Sequence, residues 1–164
     1  MNKSSADDAH NRFPEGHIID DARFEELAER FSRLFSSLTE EGVGDLVSDV
    51  YARDAYLNDT LKEVRGVDSI REYLIDSGKA VRSCQVQLND LVRSQRNYYV
   101  RWTMDIRFKK LKKGQLCRSQ GISHLRFDED GRIIYHQDYW DSTGGVFEHI
   151  PLLGLLIRLV KKRL

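Results

Sequence analysis

Residues 121–141 read GISHLRFDEDGRIIYHQDYWD, with two runs of alternating side chains on either side of the turn DEDG at 128–131. An Asp-Gly turn between alternating runs indicates a β-hairpin. In the second run, His136, Asp138 and Trp140 share one face. A face that mixes aromatic with titratable side chains is typical of the wall of a ligand pocket. The hairpin therefore predicts a sheet and a pocket on one side of it.

The N-terminal half has the three- and four-residue apolar spacing of amphipathic helices. One helix is predicted from an Asp N-cap at position 20 or 21 to about residue 39. A second, over 43–51, follows two glycines, and a third runs over 68–79. Ser69 and Glu72 have the spacing of a capping box at the start of the third helix.

From residue 84 onward, apolar residues recur at every second position instead of every third or fourth. This repeat predicts strands over 85–92, 98–108 and 116–127, the last of which leads into the hairpin. A short extended segment at 54–59 lies between the second and third helices. Helices followed by antiparallel strands predict an α+β fold, in which a curved antiparallel sheet wraps round the three N-terminal helices. Such a sheet would enclose one elongated cavity.

The two ends of the chain differ from this domain. Residues 1–19 are polar and without periodicity, which predicts a disordered tail and leaves 20–145 as the folded domain. Residues 146–164 crowd leucine and isoleucine ahead of a basic end, which predicts a basic amphipathic C-terminal helix. This helix could plug the cavity, pack across a dimer or lie on an anionic membrane surface.

Composition narrows the functional classes. The 164 residues are enough for one domain, and 26 Lys and Arg balance 26 Asp and Glu, which argues against nucleic-acid binding. Cys84 and Cys117 have no metal-ligand spacing and fit a reduced compartment. There is neither a secretory signal nor a stretch of about 20 apolar residues, so a cytoplasmic protein is expected.

Three segments carry a family resemblance: YLND at 56–59, RGVDSIREYL at 65–74, and the run from GRI to DYWD at 131–141. Together they resemble the nuclear-transport-factor-2-like superfamily, and its SnoaL-like branch in particular, over about residues 24–141. The resemblance implies a cone-shaped α+β fold that is commonly homodimeric through its sheet. Its members include isomerases, cyclases, hydrolases, dehydratases and non-catalytic binders, so the fold leaves the activity open.

Limonene epoxide hydrolases, which belong to this superfamily, hold the attacking water between a Tyr, an Asn and an Asp. The resemblance places Tyr56, Asn58 and Asp138 at these three positions. Those enzymes also need an Arg and a second Asp on a middle strand, where this sequence has Met104 and Ile106. This sequence therefore lacks the acid that opens the epoxide in those enzymes.

Ketosteroid isomerases, also in this superfamily, use an Asp base with a Tyr and a protonated Asp that stabilise the oxyanion. Asp59 matches the base. The donor positions read Phe35 and Ser123, which do not provide a comparable oxyanion hole. Steroid isomerisation by that route is therefore not expected.

The candidate site combines a few polar groups with apolar walls, which suits a small apolar or lipid-like molecule that carries one or two oxygens. The predicted catalytic residues are Asp138, Asp59, Tyr56, Asn58 and His136. The predicted ligand-binding residues are Phe35, Trp102, Met104, Ser123 and Trp140. In the structural alternative, Asp138 pairs with an arginine and His136 is a hydrogen-bonded core residue. Neither a cofactor nor a metal site is expected.

Three functions fit this pattern. The first is a cofactor-independent isomerase, cyclase or hydrolase, in which the two carboxylates transfer protons while Tyr56 and Asn58 orient a water or carbonyl. The second is a ligand-binding module whose tail makes a peripheral membrane contact. The third is a dimeric scaffold with a filled cavity.

Overall fold

The computed structural model describes residues 13–150 and 152–163. Three helices come first: α1 (Asp21–Ser36), α2 (Val43–Val50) and, after two strands, α3 (Val67–Lys79). The strands are β1 (Tyr51–Asn58), β2 (Glu63–Arg65), β3 (Val81–Ser94), β4 (Asn97–Phe108), β5 (Leu116–Phe127) and β6 (Ile133–Trp140). The short helix α4 (Ser142–Gly145) and helix α5 (Leu153–Lys161) close the described chain. The α+β fold predicted from the sequence is confirmed.

Helix α1 begins where the sequence predicts. The Asp20 side chain accepts a hydrogen bond of 2.8 Å from the backbone N–H of Arg23, which satisfies one of the free donors of the first turn. The apolar stripe of the helix is buried, and its members are Phe24, Leu27, Ala28, Phe31, Leu34 and Phe35. The stripe faces the sheet and forms the centre of the core.

Helix α3 begins without the predicted capping box. The N-cap position is Gly66, with φ at 83°, and no side chain caps the helix. Ser69 and Glu72 lie inside the helix, because Val67 already belongs to it. Spacing alone therefore placed the cap three residues too far along the chain.

The six strands form one sheet in the order β2-β1-β6-β5-β4-β3. Every neighbouring pair is antiparallel except β1 and β6, which run parallel. This pair corrects the prediction of a wholly antiparallel sheet. The two strands are separated in the chain by helix α3 and four strands, so no tight turn dictates their relative direction.

Strand β4 has the predicted alternation. Tyr98, Val100 and Trp102 are buried on its inner face, while Arg101 between them is exposed. The inner face of the strand packs against α1 and completes the core. Further along the same face, Met104 and Ile106 are only partly buried, because the sheet and the helices separate there.

Residues 13–19 belong to the predicted disordered tail but make specific contacts. The Phe13 ring lies 4.5 Å from the ring of Tyr56, the backbone N–H of His17 donates to the carbonyl of Phe127 (2.8 Å), and Ile19 is buried. A short extended segment has no periodicity that a sequence pattern could detect. The remainder of the predicted tail lies outside the described residues.

The C-terminal segment is less regular than one helix over 146–164. A short 3-10 turn, Phe147–His149, precedes α5, and the two are linked through the Glu148 carbonyl. In the described part of the chain, no helix has both the length and the apolar character needed to cross a membrane.

Candidate functional site

A cavity of about 250 Å³ opens between the inner face of the sheet and helices α1 and α3. Its wall is mostly apolar and contains two carboxylates, Asp59 and Asp138. The other main lining side chains are Phe35, Leu38, Leu61, Tyr73, Leu74, Ser77, Trp102, Met104, Ile106, Phe108, Ser119, Trp140 and Val146. Apolar walls with few polar groups are typical of small-molecule sites.

The Asp138 carboxylate is anchored through one of its two oxygens. Oδ1 accepts hydrogen bonds from Ser123 Oγ (2.5 Å) and lies 2.7 Å from His136 Nε2. Within the described part of the chain, every buried side-chain nitrogen or oxygen has a hydrogen-bond partner, and no protein group donates to Asp138 Oδ2. The 11% of this side chain that remains accessible therefore faces the cavity that it lines.

His136 is completely buried, and each of its ring nitrogens has a partner. Tyr51 Oη lies 2.7 Å from Nδ1. Burial, followed by the charges of Asp138 and Asp59, holds the pKa of Tyr51 well above its usual value, so the phenol keeps its proton. The Tyr51 hydroxyl has no other hydrogen-bond partner among the described residues, so it donates to Nδ1, and the ring donates from Nε2 to Asp138.

The donors form a continuous buried chain that ends on the carboxylate. Trp102 Nε1 donates to Ser123 Oγ (2.9 Å), and Ser123 donates to Asp138. On the other side, Tyr51 donates to His136 and His136 to Asp138. Because every donor in this chain points toward Asp138, its Oδ1 is the final hydrogen-bond acceptor of the network.

Asp59 lies at the rim of the cavity, and both oxygens of its carboxylate accept hydrogen bonds. Its Oδ1 accepts from the backbone N–H groups of Leu61 and Lys62 (2.9 Å each), and its Oδ2 accepts from the Tyr73 hydroxyl. Burial, together with the hydrogen bond to Asp59, raises the pKa of Tyr73 above its usual value. Trp140 Nε1 donates to the Asp59 carbonyl (2.7 Å). Asp59 therefore stabilises the loop as well as lining the cavity.

Tyr56 and Asn58 do not join Asp138 in the cavity, which corrects their predicted position. The Tyr56 ring stacks on Tyr135 at 5.4 Å, and Asn58 Nδ2 donates to the Tyr56 hydroxyl (3.2 Å). Tyr135 and His136 are consecutive on β6, so their side chains point to opposite faces of the sheet. The Tyr-Asn pair therefore lies on the outer face, where Arg65 also covers the Tyr56 ring.

Alternation along β1 accounts for this placement. Tyr51 contacts His136 on the inner face, and Tyr56 follows it by five positions, so the Tyr56 side chain points to the opposite face. Tyr51 pairs with Ile133 and Tyr56 with Tyr135, so five steps along β1 correspond to two along β6. The spacing between Tyr56 and Asn58 shows only that these two side chains share a face, and not which face it is.

The predicted ligand-binding residues lie at or beside the cavity. Phe35, Trp102, Met104 and Trp140 line it. Ser123 is completely buried and contacts Asp138, so it supports the carboxylate from behind. The contact of these residues with a ligand stays a prediction.

Three polar side chains at the site were missed by sequence reasoning: Tyr51, Tyr73 and Ser119. Tyr51 was assigned to the end of helix α2, and Tyr73 was read only as an apolar residue of α3. Since a buried tyrosine hydroxyl needs a partner, both could have been recognised as polar groups near the predicted carboxylates. No sequence signal identifies Ser119, which lines the cavity from β5.

Residues 13–150 and 152–163 contain no group of three His, Cys, Asp or Glu side chains that could hold a metal ion. Asp105 lies between the cavity residues Met104 and Ile106 in the sequence, but its side chain points to the outer face of the sheet. There it forms a bidentate ion pair with Arg118, in which both N···O distances are 2.7 Å.

Comparison with known proteins places this geometry in a family. The sequence profile of the SnoaL-like domain matches residues 28–136. None of the curated proteins matches the chain significantly.

Solved structures share the fold at low sequence identity. TsrD from Streptomyces laurentii is 18% identical, with a TM-score of 0.67 over 84% of this chain and 98% of its own. An LEH-like epoxide hydrolase from M. tuberculosis is 19% identical, with a TM-score of 0.61 over 91% and 99%. An NTF2-like protein from Exiguobacterium sp. 255-15 is 21% identical, with a TM-score of 0.61 over 71% and 99%. These similarities establish the fold and leave the activity open. Because the matched profile covers most of the chain and the cone-like architecture agrees with it, this chain belongs to the SnoaL-like domain family.

Proposed function

We propose that the chain is a cofactor-independent enzyme of the isomerase or cyclase type that acts on a small apolar molecule containing a carbonyl group. The observation that carries this proposal is the asymmetric anchoring of Asp138. Its Oδ1 accepts from Ser123 and His136, while no described protein group donates to its Oδ2 in the apolar cavity. A carboxylate held in this way has one oxygen oriented for proton transfer.

In the proposed reaction, Asp138 Oδ2 removes a proton from the carbon next to the carbonyl group. The electron pair of the broken C–H bond forms the enolate, whose oxygen needs a hydrogen-bond donor. The Ser119 hydroxyl group lines the same cavity and supplies that donor, whereas the Tyr73 hydroxyl already donates to Asp59. If the enolate is conjugated to a carbon–carbon double bond, return of the proton from Asp138 to the far carbon of that system completes an isomerisation. In a cyclisation the enolate carbon attacks a second carbonyl, and the alkoxide that forms takes the proton back from Asp138.

The surrounding residues support this chemistry in two ways. Trp102, Met104 and Phe35 exclude water from the carboxylate, which strengthens its interaction with a developing charge. The hydrogen bonds from Ser123 and His136 prevent rotation of the carboxylate, so little reorganisation is needed during the proton transfer.

Epoxide hydrolysis has less support. Tyr56 and Asn58 lie on the outer face of the sheet, so they do not hold a water beside Asp138. The positions where the epoxide-opening pair would be expected are Met104 and Ile106, which line the cavity with apolar side chains.

The alternative is a ligand-binding module without catalysis. Asp59 favours it, because both oxygens of this second carboxylate are engaged by the loop and by Tyr73. In that case Asp138 would orient a ligand by accepting a hydrogen bond from its hydroxyl group.

Proton abstraction can be tested before the substrate is known, because it exchanges the α-hydrogens of a ketone with solvent. A panel of small apolar ketones incubated with the protein in D₂O is followed by NMR. We expect exchange with the unchanged protein and a loss of about 100-fold or more in Asp138→Asn. The asparagine retains an oxygen that accepts from Ser123 and His136, so the fold should be preserved.

Asp105→Asn is the matched control, since Asp105 lies on the outer face with Arg118 and should leave exchange unchanged. Full exchange in Asp138→Asn would refute Asp138 as the base. Ketones that raise the melting temperature of the unchanged protein without any exchange would favour the binding module.

A further inference from the structure

Helix α5 turns its polar side toward the preceding 3-10 turn, Phe147–His149. Gly154 is buried against the Glu148 carbonyl, Arg158 Nη1 donates to the same carbonyl (3.3 Å), and Lys161 pairs with the Glu148 carboxylate. A surface helix of a globular protein normally turns its apolar stripe to the core and its charges to water. The orientation of α5 is the reverse.

The apolar side chains of this segment face outward as one stripe. Leu152, Leu155, Leu156 and Leu159 have the spacing of a single helical face, and Val160 lies beside them. Their exposed fractions are 80%, 53%, 59%, 50% and 59% in chain order. Burying such a stripe in an apolar environment would be strongly favourable, at roughly 25 cal/mol for each Å² removed from water.

The charge of the same segment identifies its partner. From residue 152 to residue 163 there is no acidic side chain, whereas Arg158, Lys161, Lys162 and Arg163 are basic. Lys162 and Arg163 are exposed directly after the helix. The whole chain has a formal net charge of zero, so this concentration of positive charge is local.

We propose that α5 docks on the surface of an anionic lipid bilayer. The leucine stripe enters the boundary between headgroups and acyl chains, and the basic residues at its end bind the anionic headgroups. Lys162 and Arg163 are complementary in charge to an anionic surface, whereas the same segment of a second copy has no acidic side chain to pair with them. The helix has nine residues, which suits lying along a membrane surface.

Vesicle co-sedimentation of the full chain tests this proposal independently of any catalytic function. The probes are vesicles of phosphatidylcholine alone and of phosphatidylcholine mixed with phosphatidylglycerol. We expect binding to the anionic vesicles that weakens as salt is added. The triple variant L155S/L156S/L159S and the double variant K162E/R163E should each weaken binding by about tenfold or more.

Matched controls separate the stripe from general surface properties. Ile18→Ser and Val92→Ser change exposed apolar residues elsewhere, and K109E/K110E reverses two adjacent exposed lysines at another site. All three should bind like the unchanged protein, and circular dichroism should show every variant folded. Equal binding to both vesicle types, or undiminished binding by the two α5 variants, would overturn the proposal. Failure of the unchanged protein to bind the anionic vesicles would also overturn it, and a dimer that L155S/L156S/L159S dissociates would then identify a second copy of the chain as the partner.

Discussion

Asp138 Oδ1 lies 2.7 Å from His136 Nε2, and the two residues are two positions apart on the same face of β6. The other members of this network come from elsewhere: Tyr51 on β1 contacts His136, Ser123 on β5 donates to Asp138, and Trp102 on β4 donates to Ser123. The orientation of the carboxylate therefore depends on the register of four strands. A change in that register would disturb the site and the core together.

Tyr51→Phe should weaken the fold without changing its shape. The substitution removes the hydroxyl that donates to His136 Nδ1 and leaves that nitrogen buried without its partner. We expect a loss of about 1–2 kcal/mol in the free energy of unfolding, measured by urea denaturation. Tyr139→Phe is the control, because Tyr139 is 55% exposed, and it should have almost no effect. An unchanged stability in Tyr51→Phe would contradict the buried donor chain.

Gly121→Ala should distort the wall of the cavity. A Cβ at Gly121 would lie 2.5 Å from Trp102 Cζ2 and 2.8 Å from Trp140 Cβ, so one of the two indole side chains must move. Overpacking of this kind typically costs about 1–3 kcal/mol, which thermal or urea unfolding would measure. At Gly44 a Cβ would meet only the ends of Ile75 and Arg71, so Gly44→Ala is the milder control. If the two variants are equally stable, the two tryptophans are not closely packed on Gly121.

The buried thiol of Cys84 should lower the free energy of unfolding as the pH rises into the alkaline range. Burial raises the pKa of the Cys84 thiol from its ordinary value of 9.0 to about 12. Above pH 9.0 the unfolded chain releases this proton while the folded chain keeps it, so the contribution is complete below pH 9.0 and is lost as pH rises toward about 12. Ionisation of this one group can change the free energy of unfolding by at most about 1.4 kcal/mol per pH unit.

The free energy of unfolding of Cys84→Ala should therefore decline less steeply across this pH window than that of the unchanged protein. Below the window, the two proteins should show the same pH dependence, offset only by the cost of the lost thiol. Parallel curves throughout would mean that Cys84 ionises as readily in the folded state as in the unfolded state.

The family resemblance implies a homodimer through the sheet, and the outer face offers a suitable contact. Ile122 and Tyr139 are directly paired across β5 and β6, and they are 41% and 55% exposed. We expect Tyr139→Asp to place a charge in this contact and convert a dimer to a monomer, as measured by sedimentation velocity. Ile18→Asp, at an exposed apolar residue outside the sheet, controls for charge alone. A monomeric unchanged protein would exclude this interface.

Much of the fold could be predicted because it follows from local patterns. The Asp20 cap and the stripe that includes Phe24, Phe31 and Phe35 define α1, and alternation along β4 correctly assigns Tyr98, Val100 and Trp102 to the core. These patterns depend only on the repeat of one helix or one strand. For the same reason, the shared face of His136 and Asp138 could be predicted from their spacing.

The positions of Tyr56 and Asn58 could not be predicted, because their spacing shows only that they share a face, whereas the way β1 pairs with β6 decides which face it is. The contact between Tyr51 and His136 joins residues 85 positions apart, and no local pattern reports such a distance.

The sequence by itself determined the order of helices and strands, the inner face of the closing hairpin and the apolar, basic character of the C-terminal segment. Only the tertiary structure decided three further features. They are the position of Tyr51 on β1 beside His136, the oxygen of Asp138 that faces the cavity, and the outward direction of the leucine stripe of α5. Periodicity specifies which side chains lie together on one element, whereas the direction in which that element turns depends on its packing against distant parts of the chain.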